Sequence, residues 1–305
     1  MTTTIAPPDP RPRDDAAPRR LARRGRTLSG PRFGLAPAWV LLVIGAISAV
    51  APIAFIALTS LRTNIDYAAS PLSWPHRWTL GNFRAAWSQG HFGDYALNSA
   101  LVVAVSVTLV VACSAAAAFP LTFFRFPGRR ALLNAVIALM ILPASIMVVP
   151  TFKLVLQLHL ANSYVGLTLV YVSLSTPFGI YLLANFYRSI PVELLDAASI
   201  DGATTFQSFR MIVVPMAAPA LRTLTVLTAL SLWNELLFGL VIMQEPGKRT
   251  LTAGVALINS NPQLGGESNV PVLAAALALV SAGPFLLYLV FNSSLSRGMT
   301  AGALK

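Results

Sequence analysis

The chain has 305 residues, of which 55% are hydrophobic and 11% charged, and its formal net charge is +11. Soluble proteins carry about 25% charged residues, whereas several uncharged runs here reach the roughly 20 residues needed to cross a bilayer. The composition excludes an ordinary soluble enzyme and predicts an all-α membrane protein with several spans. It does not indicate nucleic-acid binding, because no aromatic–basic interleaving accompanies the basic N-terminal tail. Anchoring beside anionic lipid is the better interpretation of that charge.

Residues 1–34 are rich in proline and arginine and contain few large apolar side chains. They are predicted to form a disordered cytoplasmic tail. The apolar run that follows, 38–58, exceeds the roughly 7–15 apolar residues of a cleavable signal peptide. We therefore interpret it as an uncleaved first span.

Six spans are predicted within a transmembrane domain of residues 35–295, which a short cytoplasmic tail of residues 296–305 follows. They cover residues 38–58, 96–119, 131–149, 164–186, 217–243 and 270–291. The third is interrupted by Pro143, and Pro150 follows its end. The polar segment 60–94 contains several tryptophans, which are typical of a membrane interface, and two isolated histidines, His76 and His91, which we expect at the surface.

The distribution of basic residues predicts which side each loop faces. With six spans, sixteen of the 22 lysines and arginines fall on the side of the N-terminal tail and six on the other side. Because cytoplasmic loops carry an excess of basic residues, both termini and the loop of residues 187–215 are predicted to be cytosolic.

The loop of residues 187–215 has the pattern of two short helices around a glycine. Pro191 suits the first turn of a helix, and Glu193 places negative charge near the helix N-terminus, where it is favoured. Gly202 suits the left-handed residue that ends a helix, and Thr204 or Thr205 can cap the next one. This pattern alone fits both a docking surface and a simple connection between two spans.

The same loop resembles the "EAA" motif of the permeases of ABC importers. Asp196-Ala197-Ala198, Gly202 and Ile212-Val213-Val214-Pro215 have the spacing of that motif, with Asp196 in place of Glu and Val214 in place of Leu. Ile190-Pro-Val-Glu-Leu resembles the carbohydrate-importer branch, as does the C-terminal end from Gly298. The likeness covers roughly residues 36–305 and implies the type I ABC importer permease fold.

The resemblance implies that residues 193–202 form a coupling helix that docks in a cleft of a separate ATP-hydrolysing subunit. The residues assigned to this coupling are Glu193, Asp196, Ala197, Ala198, Asp201, Gly202, Phe209 and Pro215. The implied partners are a second, homologous permease, two ABC ATPase subunits that hold ATP and Mg, an extracytoplasmic solute-binding protein and membrane lipid. The implied cargo is a sugar or polyol.

Trp233-Asn234-Glu235 in the predicted fifth span resembles a further signature of these permeases. A carboxylate within a span usually faces a bundle interior or an aqueous cavity. These three residues are therefore candidates for the translocation pathway. Glu235 has a second interpretation, which we favour, as a group that fixes helix packing or the outer gate.

No catalytic pair, metal motif or cofactor motif is recognisable in the sequence. The nearest imitation of a phosphate-binding loop, Gly247-Lys248-Arg249-Thr250, has Ile242 where the first glycine is required and Arg249 where Ser or Thr is required. A secondary transporter or channel subunit for a small polar solute is the alternative to the importer, but it would have no use for a cytosolic docking loop.

Overall fold

The computed structural model describes residues 35–88, 90–258 and 269–303, and the predicted tail of residues 1–34 lies outside this part. Among the described residues, those from Leu35 to Val50 belong to one unit and those from Ala51 to a second. The secondary structure in the described part is helical, apart from an isolated β-bridge between Arg62 and Trp78. The α-helices are α1 (Leu35–Ser60), α2 (Asn64–Ala69), α3 (Gly81–Ser88), α4 (Phe92–Phe123), α5 (Arg129–Ile141), α6 (Ala144–Gln157), α7 (Tyr164–Tyr187), α8 (Glu193–Ile200), α9 (Thr205–Ser208), α10 (Val214–Met216), α11 (Ala218–Trp233), α12 (Leu237–Ile242), α13 (Leu251–Ala256) and α14 (Val270–Ala303).

Three helices among the described residues are long and apolar enough to cross a membrane. They are α4, α7 and the part of α1 from Pro37 to Ser60. The predicted span 164–186 coincides with α7 to within one residue, and 96–119 lies inside the longer α4. Two pairs of helices, each joined at a bend, raise the number of candidate spans to five if each pair counts as one span. The apolar part of α14, Val270–Leu286, is shorter than the three long apolar helices. The count of six spans therefore stays a prediction.

The predicted third and fifth spans are not single straight helices. α5 and α6 are bent by 102° at Leu142–Pro143, because a proline disfavours helical backbone in the residue before it. α6 then continues through Pro150 to Gln157, beyond the predicted end at 149. The fifth span is divided after Trp233, where α11 ends. At the C-terminal end, α14 continues to Ala303 and so includes most of the predicted C-terminal tail.

α4 and α7 form the centre of the second unit. Their facing residues belong to two apolar clusters, which include Val107 with Tyr171 and Ala118 with Leu183. A methyl group added at Gly179 of α7 would overlap the side chain of Ser114 on α4. Small residues allow such close approach, which supplies much of the attraction between helices in a membrane.

A compact segment connects α1 to α4 and is built around the buried side chain of Arg62. Its guanidinium donates to the carbonyl oxygens of Ser70 and Pro71, both at 2.8 Å, and to the Ser73 hydroxyl at 2.9 Å. Burial raises the pKa of Asp66, but the backbone N–H of His76 and the guanidinium of Arg62 outweigh burial, so this pKa lies below its usual value. The predicted exposure of His76 and His91 is confirmed.

Candidate functional site

The loop between α7 and α11 contains the first candidate site, the helix α8. It begins at Glu193, with Val192 as its N-cap and Pro191 one residue earlier, outside the first turn predicted for it. It ends at Ile200, with Asp201 as its C-cap. Gly202 follows with a φ of +81°, and the N–H of Ala203 donates to the carbonyl of Ala198 at 2.9 Å. The predicted left-handed conformation of Gly202 is confirmed, and it closes the helix as such a residue commonly does.

The second half of the loop begins with a reciprocal cap. The Thr204 hydroxyl accepts from the backbone N–H of Gln207 at 3.3 Å, and the Gln207 side chain accepts from the backbone N–H of Thr204 at 2.7 Å. This confirms Thr204 as one of the two predicted caps. The helix is not regular from there to Pro215, because α9 is followed by a π-helical turn, Phe209–Val213. In a regular α-helix the ring of Pro215 would clash with the carbonyl of Met211, and the wider turn lies just before that proline.

The base of the loop is packed into the protein and its tip is not. Ile190, Val213 and Ala217 are buried in a cluster with residues of α4 and α7, and the ring of Phe209 lies 5.2 Å from that of Phe119 on α4. By contrast, α8 has no buried residue. The loop therefore presents α8 on a support that is fixed to α4 and α7.

The predicted coupling residues occupy this surface in different ways. Ala198 and Phe209 are partly buried, and the other six are exposed: Glu193, Asp196, Ala197, Asp201, Gly202 and Pro215. No acidic side chain of α8, nor Asp201, forms an ion pair with a described residue. Three exposed residues carry negative charge beside exposed apolar ones, among them Leu194 and Ile200. Such a mixed surface suits docking to a partner with basic and apolar groups.

The second candidate site is the break between α11 and α12, where Glu235 lies. Its carboxylate accepts from the backbone N–H groups of Phe238 at 2.9 Å and Gly239 at 3.1 Å. It also accepts from the Tyr171 hydroxyl of α7 at 2.8 Å. Glu235 therefore satisfies the N–H groups of the second and third residues of α12 and joins that helix to α7. These contacts support the packing interpretation of Glu235.

The structure separates the three residues predicted for the pathway. The indole of Trp233 donates to the carbonyl of Val280 at 3.3 Å and lies so close to Gly283 that an added methyl group would overlap the ring. Trp233 thus packs α11 against α14. Asn234 is exposed and lines a cavity of about 360 Å³ between α11, α13 and α14, which Thr252 also lines. Asn234 and Glu235 point to different surroundings.

Several polar residues that join distant segments were not recognisable as site residues from spacing. Tyr171 is 64 residues from Glu235, so that pair could not have been found from the sequence. Thr252 donates to the Glu235 carbonyl at 2.9 Å and connects the break to α13. Asn98 and Ser99, which open the predicted second span, bind the backbone around residues 247–251. The described residues contain no group of three or more side chains suited to hold a metal.

The chain is similar over most of its length to characterised permeases. It is 30% identical over 282 residues to the diacetylchitobiose uptake system permease protein NgcG of Streptomyces coelicolor, with 92% of each chain covered. It is 31% identical to the trehalose transport system permease protein SugB of Mycobacterium tuberculosis, covering 87% of this chain and 94% of that one. It is 33% identical to the sulfoquinovosyl glycerol transport system permease protein SmoH of Agrobacterium fabrum, covering 91% and 95%.

The fold also matches a solved structure. A crystal structure of a bacterial ABC transporter involved in the import of the polysaccharide alginate superimposes with a TM-score of 0.74 and 23% identity, covering 86% of this chain and 95% of that one. At this identity the match establishes the fold alone. It confirms the predicted all-α, type I ABC importer permease fold.

A family model defines the class of protein. The model described as the binding-protein-dependent transport system inner membrane component matches residues 108–300, which is more than half of the chain. The matched range includes the α8 loop and the Glu235 break. The predicted resemblance is thereby confirmed, and the chain belongs to the family of inner membrane components of binding-protein-dependent transport systems.

Proposed function

We propose that this chain is the membrane-spanning permease subunit of an ATP-driven importer that moves a sugar or related polyol delivered by an extracytoplasmic binding protein. The observation that carries the proposal is the position of α8. This helix buries no residue of its own, yet its loop is fixed at the base to α4 and α7. A force applied to α8 would reach the membrane helices through that base.

The partner at α8 is an ATPase subunit. The chain supplies the docking helix, and two ABC ATPase subunits bind ATP and Mg and hydrolyse the nucleotide. Glu193 and Asp196 would pair with basic or backbone groups of that subunit, since they have no ion-pair partner among the described residues of their own chain. Ala197, Ala198 and Gly202 would permit a close fit. A second, homologous permease completes the membrane part.

The orientation follows from charge. The excess of basic residues on the side of the N-terminal tail supports a cytosolic position for both termini and for α8. The segment built around Arg62 then faces the opposite side, where a binding protein arrives. We therefore place the energy input at α8 and solute delivery at the other end of the helices.

The cargo class rests on two observations. The named cargoes of relatives described above are carbohydrates or carbohydrate derivatives. The cavity beside Asn234 contains the amide of Asn234 and the hydroxyl of Thr252 among apolar residues. Groups of this kind donate to and accept from sugar hydroxyls, so this cavity is a candidate part of the solute pathway.

The test of the proposal is a cross-link at α8. In a chain with its single cysteine removed (Cys113→Ala), a cysteine at exposed Ala197 is expected to link to an ATPase subunit in native membranes. A cysteine at Ser88, exposed at the end of α3, serves as the matched control and is expected not to link. Recovery of the tagged chain without any ATPase would contradict the proposal and favour a secondary transporter or channel.

Asn234→Ala is expected to reduce uptake about fivefold at equal expression, because one hydrogen bond to the solute contributes about 0.5–1.5 kcal/mol. Stability should change little, since among the described residues the side-chain amide of Asn234 bonds only to the Leu230 carbonyl of the adjoining helix. Radiolabelled solute uptake and thermal unfolding measure the two effects. Thr225→Ala is the matched control, because Thr225 also bonds within α11, to Leu221, but lies outside the cavity. An equal loss of uptake in both variants would show that Asn234 is not part of the solute pathway.

A further inference from the structure

A cavity lined by four arginines lies where α4 ends, α5 begins and α7 ends. Its volume is about 620 Å³, and its basic residues are Arg125, Arg129, Arg130 and Arg188. None of the described residues that line it is acidic. Four positive charges around one concavity repel each other unless an anion compensates them.

The four arginines differ in what holds them. The Arg129 guanidinium donates to the carbonyls of Leu121 and Thr122 at 2.8 and 3.1 Å. These bonds hold it against the last turn of α4. Arg188 donates to the Asn185 side chain at 3.3 Å. The side chains of Arg125 and Arg130 have no hydrogen-bond or ion-pair partner among the described residues. Two guanidinium groups are thus available to a ligand, and a third lies fixed beside them.

The surroundings of the cavity are apolar. Phe126, Ala131 and Leu133 line it, and α5 also exposes the side chains of Leu132 and Ile137. The ends of two apolar helices that can each cross a membrane, α4 and α7, meet here. The cavity therefore lies at the level of lipid head groups, with apolar surface leading from it along α5.

We propose that this cavity binds the phosphate of an anionic phospholipid. Guanidinium groups offer paired N–H donors that match phosphate oxygens, and basic pockets between membrane helices bind anionic head groups. The apolar surface along α5 accommodates the acyl chains, which a soluble phosphate or an acidic protein surface does not have. The inference depends on the membrane location of the chain and is independent of its cargo and of coupling at α8.

The test compares lipid binding by native mass spectrometry of the transporter purified with its subunits. Dioleoyl-phosphatidylglycerol is expected to bind with clear preference over dioleoyl-phosphatidylcholine. The double variant Arg125→Gln/Arg130→Gln is expected to bind phosphatidylglycerol about 30-fold more weakly. These two side chains form no bond with any described residue, so the thermal stability of the variant should match that of the parent. The variant Arg77→Gln/Arg84→Gln, which removes two exposed arginines elsewhere, should keep the parent affinity.

Four results would overturn the proposal. Equal binding of the two lipids would exclude recognition of the anionic head group. Equal losses of phosphatidylglycerol binding in the two double variants would assign the effect to the overall charge of the protein. Displacement of the lipid by millimolar glycerol 3-phosphate, or loss of an ATPase subunit from the Arg125→Gln/Arg130→Gln complex, would assign the cavity to a soluble phosphate or to a protein partner.

Discussion

Gly202→Asp is expected to lower solute uptake about 30-fold or more while the protein still inserts and assembles its membrane helices. Aspartate adopts the positive φ found at Gly202, +81°, more readily than most residues, and its added carboxylate increases the negative charge beside Asp201. A β-carbon at this position meets no atom of the chain within 4 Å, so the effect arises at the docking surface. Uptake and ATPase activity in proteoliposomes measure it, and ATP hydrolysis should no longer drive transport.

Gly202→Asn is the matched control for this prediction. Asparagine has nearly the same size as aspartate and no charge, and it adopts the left-handed conformation more readily than most residues. We expect it to retain most of the uptake, within about threefold of the parent. Full uptake by Gly202→Asp would contradict the assignment of α8 as the coupling helix.

Glu235→Ala is expected to destabilise the protein by about 3–5 kcal/mol, since each donor left without its acceptor costs about 1–3 kcal/mol. The change leaves two backbone N–H groups of α12 and the hydroxyl of Tyr171 without their acceptor, and unsatisfied donors in a span are costly. Thermal unfolding of the purified transporter, followed by loss of the monodisperse peak, measures the effect. Glu245→Ala removes a carboxylate whose partner is the exposed Lys248, and it should cost less than about 1 kcal/mol.

The partner of Glu235 can be tested in the same way. Tyr171→Phe is expected to lower the stability by about 1 kcal/mol. The double variant Glu235→Ala/Tyr171→Phe should lose less stability than the sum of the two single changes. Additive losses would show that the 2.8 Å contact between the two side chains contributes nothing to stability. Unchanged stability with reduced uptake in Glu235→Ala would instead return Glu235 to the solute pathway.

The continuous spans were the part of the fold that sequence predicted best. α7 coincides with its predicted range because a long uncharged run in a membrane can satisfy its backbone only as a helix. Pro143 marked the break before α6, since proline restricts the residue before it. The break after Trp233 has no such marker. It depends on Glu235, Tyr171 and Thr252, which only the folded chain brings together.

The candidate site was predictable to a similar degree. The spacing from Asp196 to Pro215 identified the loop, and Gly202 and Thr204 adopt the local structures that their chemistry predicted. Trp233-Asn234-Glu235 was predicted as one unit. α11 ends at Trp233, so Asn234 and Glu235 lie in the break before α12. The structure directs Trp233 and Glu235 to packing and Asn234 to the cavity. The arginine cavity was not predicted, because Arg188 is distant in sequence from the other three arginines.

The close contact between Gly179 and Ser114 has a consequence for motion. Sliding α7 along α4 by one turn would force the Ser114 side chain out of the space that the missing β-carbon leaves, and tightly packed interiors resist such shear. The two helices are therefore expected to rotate together as one rigid body. Because the base of the α8 loop is buried against both helices, a displacement of that loop would become a tilt of this helix pair.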